Sequence, residues 1–165
     1  MSRISRFEHV SLTARDPMRL ARFYCDLLGM RVFIQLPENQ GTFLAGPDPQ
    51  DGPILTFFPL AADQQQPTQP FRTGEHTISS PHIALGLATL ADLRACPADV
   101  TRLGGTVLFG VNHGPALSCH ILDPEGNQIE LTWRTGRVTQ RPVASPVDLT
   151  LPEDELLRIV DESVA

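Results

Sequence analysis

The sequence contains two similar short stretches, EHVSL at residues 8–12 and PHIAL at residues 81–85. In the first stretch, successive residues alternate between two faces, as they do in a half-buried β-strand. The second predicts another strand, and each stretch has a histidine in second place, His9 and His82. Similar opening strands in the two halves of the chain indicate an internal repeat.

The same order of elements follows both stretches. After the first, Asp16 and Pro17 are typical of the start of a helix, and Gly29 is a natural end for it. Glycine and proline clusters then separate three predicted strands. These strands span residues 31–36, 41–45 and 53–59. The first half therefore reads βαβββ.

The second half repeats this order after a stretch rich in Gln, Thr, Ser and Pro. A helix is predicted at residues 89–103, with Thr89 as its N-cap, and Pro97 is expected to kink or break it. Three further strands are predicted at residues 106–111, 116–122 and 128–133, the last two joined by a tight turn at residues 123–127.

Strand alternation places one polar residue on the same kind of face in three predicted strands. These residues are His9, His82 and Glu130. Two imidazoles and one carboxylate form a site for one divalent metal ion such as Fe(II), Mn(II) or Zn(II). Taken alone, a histidine or a glutamate at such a position is more often exposed to solvent or hydrogen-bonded within the protein than bound to a metal. The duplicated position of the two histidines favours the metal site.

The predicted fold class is α+β, with two βαβββ modules forming a curved mixed sheet around a metal cleft. One domain at residues 1–134 comprises module one (6–60), a linker (61–80) and module two (81–134). Residues 135–165 form a C-terminal tail with a short helix at 151–160, expected to dock on the core or on a partner subunit.

Composition excludes several classes of function. The net charge is −6, and the 13 basic residues are scattered, so no nucleic-acid surface is predicted. No apolar run approaches a membrane helix, and the N-terminus has no signal-peptide core. Cys25, Cys96 and Cys119 form no CxxC pair, so each is expected to be a small buried hydrophobe in a cytoplasmic protein.

Together these motifs resemble the vicinal oxygen chelate superfamily, over residues 7–133. That superfamily includes glyoxalase I, fosfomycin-resistance transferases, bleomycin-binding proteins and extradiol dioxygenases. The resemblance implies metal ligands at His9, His82 and Glu130, a small-molecule substrate and a homodimer. It leaves open whether the site is formed within one chain or shared between two.

The stretch from His113 to Glu130 resembles the signature of small one-domain type I extradiol dioxygenases. His113 matches the signature histidine, and His120 stands where that family has tyrosine, so both are implied to be catalytic. His113 is equally well read as a loop histidine beside a glycine turn. The predicted strand at residues 53–59 departs from the family, because it has neither the catalytic histidine of a dioxygenase nor the glutamate ligand of glyoxalase I.

The resemblance thus implies a metal-dependent enzyme of the extradiol dioxygenase-like branch that chelates vicinal oxygens of a small, catechol-like substrate. It favours Fe(II) as the ion, with Mn(II) or Zn(II) as alternatives. Two alternatives remain: a glyoxalase-type isomerase or another redox-neutral metal enzyme, and a metal-free module that binds a drug or metabolite. Sequence alone leaves the natural substrate and the reaction open.

Overall fold

Two units make up the chain, Met1–Gln69 and Pro70–Ala165. The structure is a computed structural model that describes residues 8–48, 50, 52–61 and 81–164. Nearly all of the predicted linker lies outside these described residues, as does Phe7. Within the described ranges, no helix is long and apolar enough to cross a membrane.

The first unit has the predicted βαβββ order. Its elements are β1 (Val10–Ala14), α1 (Pro17–Leu28), β2 (Arg31–Gln35), a 3₁₀ turn (Pro37–Asn39), β3 (Thr42–Ala45) and β4 (Pro53–Pro59). The strand order in the sheet is β1-β4-β3-β2. β1 runs parallel to β4, whereas β4 with β3 and β3 with β2 are antiparallel pairs, so the sheet is mixed.

Helix α1 begins and ends at the predicted residues. The Asp16 side chain accepts a hydrogen bond from the backbone N–H of Arg19 at 3.1 Å, and Gly29 ends the helix in the left-handed conformation at φ 65°. One apolar face of the helix is buried, including Leu20 and Tyr24. The Tyr24 ring stacks on Phe57 of β4 at 5.5 Å between ring centroids, which fixes the helix on the sheet.

Replacing the N-cap, Asp16→Ala, is expected to lower the free energy of unfolding by about 1–2 kcal/mol at pH 7. Hydrogen bonds from the Arg19 backbone and the Asn39 side chain lower the pKa of Asp16 in the folded protein. The stabilisation is therefore present above the unfolded-state pKa and is lost as the pH falls through the folded-state pKa. Urea unfolding at pH 7 and in acid measures both effects.

The matched control is Asp26→Ala, which removes the same charge from an exposed site near the end of α1. We expect it to change the free energy of unfolding by only a few tenths of a kcal/mol, about the size of a helix-dipole effect. Equal losses for the two variants, or a loss for Asp16→Ala that persists in strong acid, would contradict the capping argument.

The second unit repeats the βαβββ order and adds a tail. Its elements are β5 (Ile83–Leu87), α2 (Leu90–Arg102), β6 (Thr106–Asn112), β7 (Ala116–Leu122), β8 (Gln128–Arg134), β9 (Ser145–Pro146) and α3 (Glu153–Val164). The strand order is β5-β8-β7-β6-β9, with β5 parallel to β8 and the other pairs antiparallel. The predicted α+β class with two modules is thereby confirmed.

Helix α2 continues through Pro97, so the break that was one of the two expected outcomes does not occur. It is one helix of 13 residues, started by a capping box in which Thr89 and Asp92 bond to each other's backbone N–H groups. Proline removes one helical hydrogen bond, but Leu93 and Val100 on either side of it are fully buried. Burial of this face offsets the lost bond.

The tail docks on the core of the second unit. β9, which the sequence did not predict, pairs with the end of β6, and the Val147 N–H donates to the Gly110 carbonyl at 3.1 Å. Helix α3 starts two residues later and ends four residues later than predicted. The Asn112 side chain donates to Ser163 at 3.0 Å, which attaches the last turn of α3 to β6.

Candidate metal centre

Three neighbouring strands of the second unit place a row of side chains on one face of the sheet. Phe109 of β6 is paired with His120 of β7, and His120 is paired with Glu130 of β8. Directly opposed residues of antiparallel strands project to the same side of the sheet. The row therefore brings the imidazole of His120 beside the carboxylate of Glu130.

Glu130 is at the middle of a hydrogen-bonded cluster. The Ser118 hydroxyl donates to Oε1 at 2.6 Å, and Nε2 of His82 lies 2.9 Å from Oε2. Burial opposes ionisation of this carboxyl, but the Ser118 hydrogen bond and the neighbouring imidazoles outweigh it and hold the pKa of Glu130 below its ordinary value. The side chain is therefore an anion at neutral pH.

The alternation predicted that His82 and His9 lie within strands, but neither of them does. Each precedes its strand by one residue, His82 before β5 and His9 before β1, and both are exposed. The hydrogen-bonded part of each strand begins later than the apolar pattern indicates. His82 still reaches Glu130, because β5 and β8 are parallel neighbours in the sheet.

His113 lies in the hairpin loop between β6 and β7. Its Nε2 is 3.7 Å from Oε1 of Glu130, and its Nδ1 is 3.3 Å from the carbonyl oxygen of Val143 in the tail. When Nδ1–H donates to that carbonyl, Nε2 carries the lone pair and faces the carboxylate. The tail therefore sets the orientation of this histidine.

His120 is fully buried. Its ring stacks on Phe109 at 4.7 Å and meets the His82 ring edge-on at 5.2 Å, both between centroids. Burial lowers the pKa of His120, although the Glu130 carboxylate opposes the shift. The neutral imidazole, which is the form that binds metals, is thereby favoured.

The donor set fits a divalent cation. One ligand atom from each of His113, His120 and Glu130 lies within 4.8 Å of the others. The separation of 2.9 Å between His82 Nε2 and Glu130 Oε2 is close to the roughly 3.0 Å that separates neighbouring ligands of an octahedral ion with bonds of about 2.1 Å. Imidazole nitrogens with one carboxylate suit Fe(II), Mn(II) or Zn(II).

A cleft of about 370 Å³ opens beside the cluster. Glu130 and His113 contribute to its wall, together with Ala84, Thr132 and Arg134 of the second module. Tail residues Thr139, Pro142 and Val143 line another part of it. A volume in this range accommodates a small organic molecule.

The structure brings together four of the five predicted site residues, His82, His113, His120 and Glu130. His9 belongs to the first unit, and its role as a ligand stays a prediction. Sequence reasoning did not assign a role to Ser118, although it stands in the dioxygenase-like signature. It also missed the tail residues of the cleft, because an irregular, proline-containing stretch shows no pattern that places it.

Comparisons with known proteins agree with the fold. Residues 6–131 match the model of the glyoxalase/bleomycin resistance protein/dioxygenase superfamily. No curated protein sequence matches the chain. The fold is similar to that of lactoylglutathione lyase from Agrobacterium tumefaciens, with 20% identity, TM-score 0.55, and coverage of 80% of this chain and 96% of that one.

Two further solved structures share the fold. One is a genomically encoded fosfomycin resistance protein from Listeria monocytogenes, with 16% identity, TM-score 0.58, and coverage of 81% of this chain and 96% of that one. The other is a glyoxalase/bleomycin resistance protein from Albidiferax ferrireducens, with 20% identity, TM-score 0.57, and coverage of 79% and 100%. At these identities the likeness establishes the fold alone.

Proposed function

Because the chain belongs to the glyoxalase/bleomycin resistance protein/dioxygenase superfamily, we propose that it is a metal-dependent enzyme of the extradiol dioxygenase-like branch. The ion would be Fe(II), with Mn(II) or Zn(II) as alternatives, held by His9, His82 and Glu130. The observation that carries the proposal is the 2.9 Å approach of His82 to the ionised Glu130 next to a small cleft.

The substrate class follows from the cleft and the cluster. When bound, the ion supplies Lewis-acid polarisation of two neighbouring substrate oxygens and lowers the pKa of a hydroxyl. His113 accepts the hydroxyl proton at Nε2, since its Nδ1 faces the Val143 carbonyl. The apolar side chains of Ala84 and Pro115 in the cleft wall suit an aromatic ring, so a catechol-like molecule fits.

A redox-neutral reaction on the same scaffold is the second candidate, and one observation favours it. Strand β4 reads PILTFFP and has no histidine to act as the acid–base residue that dioxygenases of this kind carry there. Isomerisation or addition to an epoxide needs no dioxygen and proceeds with redox-inert Zn(II) or Mg(II), or with Mn(II).

The test is anaerobic loading of the full chain with Fe(II), followed by a panel of catechols under air. We expect uptake of O2 and the yellow absorbance of a ring-cleavage product, both abolished in His113→Ala. A matched control is Thr139→Ala, which changes the tail wall of the cleft but removes no titratable group. If the wild type takes up no O2 but turns over an α-keto hemithioacetal or an epoxide with Zn(II), ring cleavage is contradicted and the redox-neutral reaction is supported.

We also propose a single domain at residues 1–134, a cytoplasmic location and a homodimer. Three free thiols, two of them buried, suit a reducing compartment.

The homodimer is supported by the edge strand β2 of the first sheet. Its residues Val32, Phe33 and Ile34 are each more than 40% exposed. Such an apolar edge supports association with a second copy, and sedimentation of the full chain distinguishes monomer from dimer.

A further inference from the structure

His120 occupies a position that the proposed ligands alone do not explain. It lies between Phe109 and Glu130 in the row across β6, β7 and β8, and its ring contacts His82, so two of these three neighbours are proposed metal ligands. No part of its surface is exposed. A histidine in such surroundings is expected to use both ring nitrogens.

Only one of the two nitrogens is used. Nδ1 of His120 lies 3.2 Å from the Gln128 carboxamide, whereas Nε2 has no hydrogen-bond partner among the described residues. The Gln128 Oε1 atom, also buried, has none either. Turning the carboxamide over places Oε1 against Nδ1–H, which gives this oxygen a donor, moves the amide nitrogen to the position that Oε1 held, and leaves Nε2 of His120 as the unprotonated nitrogen.

This arrangement is the one that metal-binding histidines adopt. A coordinated imidazole donates its other N–H to an oxygen acceptor, which fixes the tautomer and the ring orientation. Gln128 offers that acceptor, and the stacked Phe109 ring restrains the rotation of the imidazole. The buried nitrogen without a partner would then carry the lone pair that a cation can bind.

We propose that His120 is a further protein ligand of the divalent ion, through Nε2, beside Glu130 and His82. The inference rests on the proposed function, because it assumes that an ion binds at this cluster. Ligands of one ion lie no more than about 4.2 Å apart when each bond is about 2.1 Å, and the ligand atoms of His120 and Glu130 are within 4.8 Å. Small side-chain movements close that difference.

The added ligand is compatible with chelation. Together with His9, His82 and Glu130 it would leave an octahedral ion with two open positions, the number that a vicinal pair of oxygens requires. It would also give β7 a direct part in the metal site. The resemblance implied a catalytic role for this position, and the inference changes that role to coordination.

The test uses Co(II) alone as the probe, on the full chain. Calorimetric titration of the wild type and of His120→Gln should show affinity lower by about 100-fold in the variant, since even partners that only orient a ligand contribute about 10–100-fold. In the proton spectrum of the Co(II)-loaded protein, His120→Gln should lack one hyperfine-shifted imidazole N–H signal. Phe109→Leu disturbs the packing of the same ring without removing a ligand, and should keep that signal.

Because His120 is a core residue, the wild type supplies a second measurement that does not depend on the variant folding. In protein labelled with ¹⁵N-histidine, titration with Zn(II) should move the Nε2 resonance of His120 to the position of a coordinated nitrogen. Gln128→Glu, which keeps an oxygen facing Nδ1, should retain Co(II) affinity, whereas Gln128→Leu should lose about 10-fold.

The outcomes separate the inference from the proposal on which it rests. A wild type that binds no Co(II) or Zn(II) overturns both. Two outcomes would overturn the ligand role of His120 and leave the proposed triad in place. In the first, the wild type binds metal but its Nε2 resonance does not change. In the second, His120→Gln has the same N–H signals and the same affinity as the wild type.

Discussion

Glu130→Gln is expected to reduce divalent metal affinity by about 100-fold or more and to abolish metal-dependent turnover. Glu130 is the only carboxylate among the proposed ligands, and its amide replacement keeps the shape while removing the negative charge. Loss of an anionic ligand should exceed the roughly 10–100-fold effect of residues that merely orient ligands. Elemental analysis of protein purified without added metal, followed by titration with Zn(II), measures the change.

The matched control is Glu125→Gln, which removes one negative charge from the turn between β7 and β8. It should leave metal content unchanged, because the turn is not part of the ligand cluster. If the wild type and Glu130→Gln contain the same amount of metal, the ion does not bind at this cluster. If the wild type contains none and cannot be loaded, the metal-free binding module becomes the better description of the protein.

Gly110→Ala is expected to lower the free energy of unfolding by about 1–3 kcal/mol, the usual range for overpacking. A Cβ atom at residue 110 would collide with the carbonyl oxygen of Val147 and lie 3.0 Å from Cγ of Leu149. Backbone atoms on one side and a core leucine on the other leave little room for relaxation. The tail strand β9 should therefore separate from β6.

Two measurements distinguish loss of the tail from general unfolding. Limited proteolysis should cut Gly110→Ala within residues 135–150 faster than the wild type, while urea unfolding reports the global stability. Gly86→Ala in β5 is the control, because a Cβ atom there meets nothing within 4 Å. Equal protease resistance in Gly110→Ala and the wild type would show that the tail tolerates the added methyl group.

Local sequence patterns predicted most of the fold. The Asp16, Pro17 and Gly29 signals located α1 to the residue, and β4 and β7 have the predicted bounds, because caps, prolines and glycines act over short distances. β9 could not be predicted, since a two-residue strand has no period of its own. The absence of a break at Pro97 could not be predicted, because the packing of α2 on the sheet, which offsets the lost hydrogen bond, is a tertiary effect.

The sequence identified residues that the structure brings together at the candidate site, but not how these residues are arranged. His82, His113, His120 and Glu130 were identified from the repeat and from the resemblance. That His120 is paired with Phe109 depends on the register shift between Val107 and Phe109 in β6, which no sequence pattern signals. The burial of the His120 nitrogen could not be predicted either, because burial is set by residues distant in the chain.

The docking of α3 has a practical consequence for purification. A Cβ atom on Gly114 would lie 2.8 Å from Cγ1 of Val164, so the end of the helix reaches the loop that contains His113. A polyhistidine tag fused after residue 165 would begin close to the candidate ligands and compete with them for Ni(II), Co(II) or Zn(II). Metal stoichiometry should therefore be measured on a chain whose affinity tag has been removed, or that carries a tag without histidine.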